Sequence, residues 1–497
     1  MAKEILQKPI TRRSVIAASL AGLAANSFIA KAFGLDAGLS NVILGRPTDS
    51  SIAISVLATE PQSAYVEYGI TKTSLNKKTP IFNLDPSTPQ VIEITGLKAN
   101  TKNYYRLRYK KSTETTFATG KTNSFSTAKS LGKSFSFSVQ GDTHPERAGK
   151  MFNADLYSVM MGNVAAQQPD FHILLGDDFS IDPLIDKGQA NQASVENIYR
   201  THRNWLSIAG ATVPIFLVNG NHEQAAAYLL DGTTTNPAVL AGNARLKYYP
   251  LPAPNRFYTG DTYEIPNVGL PRDYHSWTWG DALFISIDPY WHSKQAVDNV
   301  AGVSADNTDK AGGKGGGSGK TTNLWNVGIG DEQYAWLKKT LETSKAKYKF
   351  VFAHHVLGTG RGAVEVSTNY EWGGKDPKGQ STFAKERPNW ELPIHDLMVK
   401  NGVSIFFQGH DHIFVTQERD GLIYQSMPNP ADDTFTMFNE GAYLTGTKAP
   451  NSGHVRVTVT PAEAKVEYFL AARTQDSSRM NLSTAHSYTI KPKTVRQ

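Results

Sequence analysis

At 497 residues the chain exceeds what one hydrophobic core usually serves, so two domains with appendages are expected. Its formal charge of +6 shrinks to +2 once residues 1–32 are set aside, because five cations there face Glu4 alone. That balance gives no ground for nucleic-acid or membrane-surface binding, and the absence of cysteine excludes disulfides and thiolate metal sites.

Residues 1–32 read as an export segment rather than as part of the fold. Thr11-Arg12-Arg13-Ser14-Val15-Ile16 precedes an apolar run over 15–25 and then Ala30-Lys31-Ala32, an A-x-A cleavage pattern. The run is too short to anchor in a bilayer. The stretch resembles a twin-arginine signal, which implies export of a folded protein to the periplasm or beyond, with the mature chain starting near Phe33.

From 41 to 128 short alternating segments are separated by turn residues. Ile52, Ile54 and Val56 share one strand face; Ala64, Val66 and Tyr68 another; Ile92 and Ile94 a third. Tyr105, Leu107 and Tyr109 form a fourth, with Arg106, Arg108 and Lys110 pointing the other way. About seven strands of this kind fit the span, the pattern of an antiparallel β-sandwich, and a structural spacer is its expected role.

After a polar linker, Lys129 to Lys133, a domain running from 133 to 473 alternates strands with helices. Helices are expected over 150–167, 190–209 and 331–344, the last with Tyr334, Leu337 and Leu341 on one face behind an acidic start, and a helix-like segment over 391–401. Beyond His412 the pattern turns all-β, with strands over 412–417, 422–425, 453–459 and 464–470, and 474–497 read as a tail. The glycine-rich run from Asp309 to Lys320 cannot bury enough apolar surface to order itself and is expected to be a mobile, solvated insertion.

Five apolar runs in this domain end on the same kind of residue. Phe135, Phe137 and Val139 lead into Asp142-Thr143-His144, and the run 171–175 into Gly176-Asp177-Asp178. The run 213–218 leads into Gly220-Asn221-His222-Glu223, 350–353 into His354-His355, and 403–407 into Gly409-His410-Asp411-His412. Strand ends of an α/β sheet are where ligands bind, so five ends offering Asp, His and Asn converge on a candidate metal site.

Taken together, D-x-H, G-D, G-N-H, H and G-H-x-H, in that order, are similar to the signature of calcineurin-like metallophosphoesterases. Ser276 to Asp288 is similar to the central strand of that family, and Gly96 to Arg106 resembles the fibronectin-type N-terminal module of purple-acid-phosphatase-like enzymes, with Asn103 at its corner-tyrosine position. The resemblance implies an α+β protein in which the β-sandwich precedes a four-layer α/β/β/α domain. It also implies two divalent metal ions, such as Mn, Zn or Fe(II). Asp142, His144, Asp177 and His412 would hold the first, and Asp177, Asn221, His354 and His410 the second, with Asp177 bridging. His222 would act as general acid. The implied reaction is hydrolysis of a small phosphate monoester by a metal-bridging hydroxide. A phosphodiesterase or nucleotidase on the same scaffold is the alternative. An inactive surface-binding protein is disfavoured because none of the seven ligands is missing.

Other conspicuous residues have plainer readings. His355 is expected beside the ligand set rather than in it, and His172, His202 and His395 as core or helix-packing residues. Glu223, Arg147 and Trp372 are left outside the site. Purple acid phosphatases place a tyrosine three residues after the G-D aspartate, where this chain has Ser180. Alkaline-phosphatase-D-type enzymes use a cysteine ligand that this chain lacks.

Overall fold

The structure, a computed structural model, describes residues 39–294, 324–356 and 360–493. The arginine-pair segment and the glycine-rich run lie outside the described residues.

Two small antiparallel sheets make up the N-terminal region. One has the order Leu39–Gly45, Ile52–Ala58, Gln90–Ile94, and the other is built on Gln62–Gly69 paired with Lys102–Lys111. Their β-branched and aromatic side chains, among them Ile52, Ile54, Val66, Ile92, Tyr105 and Leu107, close a core between the sheets. The alternation expected over Ile52–Ala58 understates its burial, since all seven residues are buried. Its second face lies under helix Gln192–Gly210, whose Arg203 donates to Asn41 Oδ1 and to the hydroxyl and carbonyl of Ser55. The corner position Asn103 turns its side chain onto Thr101 O (3.0 Å), while Tyr105 Oη reaches Ala211 O (2.7 Å) across the domain boundary.

Beyond the linker two sheets face each other. The first has the order Ile215–Leu217, Phe171–Leu174, Phe135–Gln140, Gly453–Val459, Ala464–Leu470, Thr484–Ile490. The second runs through His275–Trp279, Ala282–Ser286, Tyr348–Phe352, Ile405–Gln408, Leu422–Ser426 and Phe414–Arg419, with a short strand at each end. Aromatic rings fill the space between them: Phe137, Phe171, Trp277, Phe284, Phe350, Phe352 and Phe407 are all buried there. Phe137 meets Phe284 edge-on at 5.0 Å, the favoured geometry for opposed ring quadrupoles.

Helices Ala154–Gln167, Gln192–Gly210 and Pro237–Tyr248 cover the outer face of the first sheet, and Gly330–Thr343 and Ile394–Lys400 that of the second. The fold is therefore α+β, a β-sandwich followed by a four-layer α/β/β/α domain. Among the described residues no helix is long and apolar enough to cross a membrane.

Three local departures from the sequence reading have physical causes. The helix expected from Lys150 begins at Ala154, because Asn153 caps it by accepting from the N–H groups of Asp155 and Leu156. Pro237–Tyr248 was not foreseen: its apolar residues run almost all round the helix, leaving no polar face to set a period. The stretch read as a tail contains strand Thr484–Ile490, which pairs with Ala464–Leu470 and lays Tyr488 and Ile490 against the aromatic core.

Phe135–Gln140, Phe171–Leu174 and Ile215–Leu217 are mutually parallel, as are Tyr348–Phe352 and Ile405–Gln408. Their C-terminal ends consequently open on one common edge, the usual place for ligands in such sheets.

Candidate metal centre

That edge gathers every side chain named from the strand-end motifs. Asp142 and His144 follow strand Phe135–Gln140, Asp177 follows Phe171–Leu174, and Asn221 and His222 follow Ile215–Leu217. His354 follows Tyr348–Phe352, and His410 and His412 follow Ile405–Gln408. Three overlapping groups result, each tight enough to hold a metal ion: Asp142, His144 and His412; His144, Asp177 and His222; Asp177, His354 and His410. Asp177 belongs to two of them and so sits between the others. Apart from Asn221 and His222, which are half-buried, all of these residues are buried.

The atoms that face inward are mostly lone-pair donors. His412 Nε2 is 3.0 Å from Asp142 Oδ2 and 3.1 Å from His144 Nε2, which is 3.5 Å from Asp177 Oδ2. On the other side His354 Nε2 is 3.1 Å from Asp177 Oδ2, 3.0 Å from Asn221 Oδ1 and 3.2 Å from His410 Nδ1.

Hydrogen bonds behind the cluster fix which atoms face it. His144 Nδ1 donates to Glu146 Oε1 (2.8 Å), which leaves its Nε2 lone pair inward, and His354 Nδ1 donates to Leu175 O (2.7 Å), which turns its Nε2 toward Asp177. Each aspartate likewise spends Oδ1 on backbone: Asp142 accepts from His410 N (2.9 Å) and Asp177 from His222 N (2.8 Å). Asp142 Oδ2 is buried with no hydrogen-bond partner.

Acceptors packed this closely repel unless a cation lies among them. Nitrogen and oxygen ligands about 2.0–2.2 Å from a divalent ion stand about 3.0–3.5 Å from one another, which is the spacing found here. The residues present therefore fit a metal ion. Burial holds His144 and His410 well below the ordinary imidazole range and hence neutral, as ligation requires. Burial acts against the His354 imidazolium too, yet Asp177 and Asp142 outweigh it and push the group up to about 10. Positive charge is favoured at that point.

The backbone pays for this convergence in strained turns. His144, Asp177, His410 and His412 have φ of 50°, 58°, 66° and 52°, a region non-glycine residues rarely occupy outside functional sites. Gly409 passes so close to Asp142 Oδ1, and Gly220 so close to Asp177, that a Cβ at either position would collide with the carboxylate. Glu223, left outside the site on sequence grounds, ties the two central loops together. Its Oε2 accepts from the N–H groups of Asp177 (3.0 Å) and Gly220 (2.7 Å), and its Oε1 from Asp178 (2.7 Å) and Phe179 (3.0 Å). The adjoining sequence Gly220-Asn221-His222-Glu223 held the only signal for this role.

His222 occupies the open side of the cluster. Its Nδ1 bonds Asp182, a residue the sequence reading did not name, and Gln224 Nε2 steadies that carboxylate from the other oxygen (2.8 Å). Its Nε2 points inward, 3.9 Å from Asp177 Oδ2, with Arg147 Nη2 at 3.3 Å. Burial lowers the His222 pKa, but Asp177 and Asp182 more than offset this and raise it to about 9.

The remaining candidates take structural places. His355 stacks on His410 at 4.6 Å and bonds Tyr290 Oη at 3.3 Å, supporting that imidazole from behind. His172 is satisfied by Ser138 Oγ (2.7 Å) and Gln140 Oε1 (2.9 Å). His202 is buried among Tyr157, Phe179 and Trp205, His395 bonds Tyr424 and Asp420, and Trp372 bonds Tyr424 in the core.

Comparison with known proteins agrees with this geometry. The family model of the calcineurin-like phosphoesterases matches residues 135–414, and the chain belongs to that family. It is therefore a hydrolase acting on phosphate esters. No curated protein matches the sequence. Two solved structures are similar in fold. PhoD aligns with a TM-score of 0.59 and 16% identity, over 91% of this chain and 90% of that one. A purple acid phosphatase, PPD1, from yellow lupin (Lupinus luteus) seeds aligns with a TM-score of 0.54 and 14% identity, over 91% and 75%.

Proposed function

We propose that this protein is an exported, dinuclear-metal phosphatase that hydrolyses small phosphate monoesters. The observation that carries the reading is the pair of donor groups sharing Asp177, whose inward atoms face each other at 3.0–3.5 Å. Asp142, His144, Asp177 and His412 would hold one divalent cation, and Asp177, Asn221, His354 and His410 the other. When bound, such ions supply charge for the phosphoryl oxygens and lower the pKa of water from 15.7 towards about 7.

The chain's own groups do the rest. His222, its ring fixed through Nδ1 by Asp182, would carry the proton for the leaving oxygen at Nε2 once Arg147, the donor now facing that nitrogen, turns to a phosphoryl oxygen. Arg147 stands beside it, placed to meet a phosphoryl oxygen. Only two of the seven ligands are anionic, so two dications leave a net positive site, which draws a monoester dianion more strongly than a diester monoanion. The metal-loaded chain should give a higher kcat/KM on a monoester than on its matched diester; the reverse order would reverse this choice.

Ser180 stands where a purple acid phosphatase has its tyrosine, and its buried hydroxyl offers no phenolate. Mn²⁺, Zn²⁺ or Fe²⁺ without ferric-tyrosinate absorption is the corresponding metal assignment, and a purple protein as isolated would refute it. Export rests on Arg12-Arg13 and the apolar run that follows. Replacing both arginines by lysine should strand the precursor in the cytoplasm, and unaltered export of that variant would sink the assignment.

A further inference from the structure

The turn that carries Asp142 and His144 is held from behind by a carboxylate that the reaction above does not use. Asp178 follows the shared aspartate Asp177 in the chain, is 1% exposed, and belongs to none of the three ligand groups. Its Oδ1 accepts from Thr143 Oγ1 (2.8 Å) and Gln140 Nε2 (3.3 Å), two buried residues that bracket Asp142 in the sequence. His202 Nε2 lies 3.8 Å from the same oxygen, and Oδ2 has no hydrogen-bond partner.

The clasp is itself anchored. The N–H of Asp178 donates to Glu223 Oε1 (2.7 Å), and the other oxygen of Glu223 holds the N–H groups of Asp177 and Gly220. The loop after Phe135–Gln140 is thereby tied to the loops after Phe171–Leu174 and Ile215–Leu217. The backbone adds a bond from His144 N to Asp177 O (3.1 Å).

Such a tie is needed because the turn is strained. His144 has φ of 50°, a conformation that persists only where surrounding contacts impose it. A hydroxyl has one proton to donate, and that of Thr143, between the two ligands, goes to Asp178.

We propose that Thr143 and Asp178 are positioning residues: their bond holds Asp142 and His144 at the spacing one cation needs, and so sets the affinity of the Asp142, His144 and His412 group. The inference rests on the dinuclear reading above. Partners that orient ligands from behind typically contribute about 10–100-fold in metal affinity.

Thr143→Val is the sharpest test, because valine keeps the shape and removes the hydroxyl. Equilibrium dialysis of the metal-stripped full chain against Mn²⁺ should show one of the two ions bound about 10–100-fold more weakly, with the other unchanged. Thr143→Ser, which keeps the hydroxyl, should bind both ions as the unaltered chain does. Asp178→Ala should weaken the same ion, and adding Thr143→Val to it should bring no further loss, since both changes remove one bond. Saturating Mn²⁺ should return kcat of Thr143→Val on 4-nitrophenyl phosphate to the unaltered value, which a collapsed turn would not allow. Two ions held as tightly in Thr143→Val as in the unaltered chain would overturn the inference and leave the dinuclear reading intact. Losses that add in the double variant, or activity that excess Mn²⁺ does not restore, would do the same. An unaltered chain that binds no Mn²⁺ would overturn both.

Discussion

Arg203 at the domain boundary and the ligand cluster at the sheet edge both take strongly polar groups out of water, by opposite means. Arg203 is fully buried, and its nitrogens donate to Asn41 Oδ1 (2.6 Å), Ser55 Oγ (3.1 Å), Ser55 O (3.1 Å) and Tyr248 O. Burial pushes its pKa down to about 10, still well above neutrality, so it remains a cation whose charge is spread over neutral acceptors. At the sheet edge acceptors crowd together around His354, where positive charge is favoured. Lone pairs of Asp142, His144, Asp177 and Asn221 face the cluster, and Asp142 Oδ2 has no hydrogen-bond partner. Buried polar groups that are mutually satisfied hold a fold together, while buried acceptors that converge without a donor call for a cation. The first region should thus respond to mutation in stability, and the second in metal content and rate.

Asp177→Asn should have the largest effect, because it removes the shared ligand and one of only two anionic ones. Metal content should fall and activity drop by at least on the order of 10²-fold for every leaving group. An Asp177→Asn variant that keeps full metal content would break the contrast at its centre.

His222→Ala should retain its metal while kcat falls by on the order of 10²–10⁴, the usual contribution of a general acid. The deficit should shrink for nitrophenyl esters, whose leaving group departs unprotonated. Equal losses for good and poor leaving groups, or lost metal, would remove His222 from that role.

Glu223→Gln comes next. An amide cannot accept four N–H groups as the carboxylate does, so the loops carrying Asp177 and Asn221 should loosen and metal affinity fall about 10–100-fold. Direct titration of the metal-stripped variant checks this, and unchanged affinity would make Glu223 a bystander.

Arg203→Met should affect activity least. Leaving Asn41 and Ser55 without their donor should cost about 3 kcal/mol of stability, read as a lower melting temperature, with kcat/KM of the folded fraction unchanged. A kinetic defect without a stability defect would mean that the two regions are coupled.

The convergence of the cluster side chains was legible in the sequence because each sits within a few residues of the strand that delivers it, so a local pattern carries it. Its supports were less so. Asp182 reaches His222 across 40 residues of sequence, and only the fold brings its carboxylate to Nδ1. Glu223 was visible but ambiguous, since its role depends on four N–H groups from two separate loops. Arg203 was silent, because its acceptors lie at 41, 55 and 248 and no local period joins them. In Phe135–Gln140 serines alternate with the apolar residues, yet all six residues are buried, with Ser138 bonded to His172 and Gln140 to Tyr157 of helix Ala154–Gln167.

On the proposed reading, one set of seven side chains holds two cations and works only when both are present. Equilibrium dialysis of the metal-stripped full chain against Mn²⁺, followed in parallel with hydrolysis of 4-nitrophenyl phosphate, tests it directly. Two ions per chain, with activity rising as the second binds, is the expected result. Full activity with a single ion, or with none, would contradict the account.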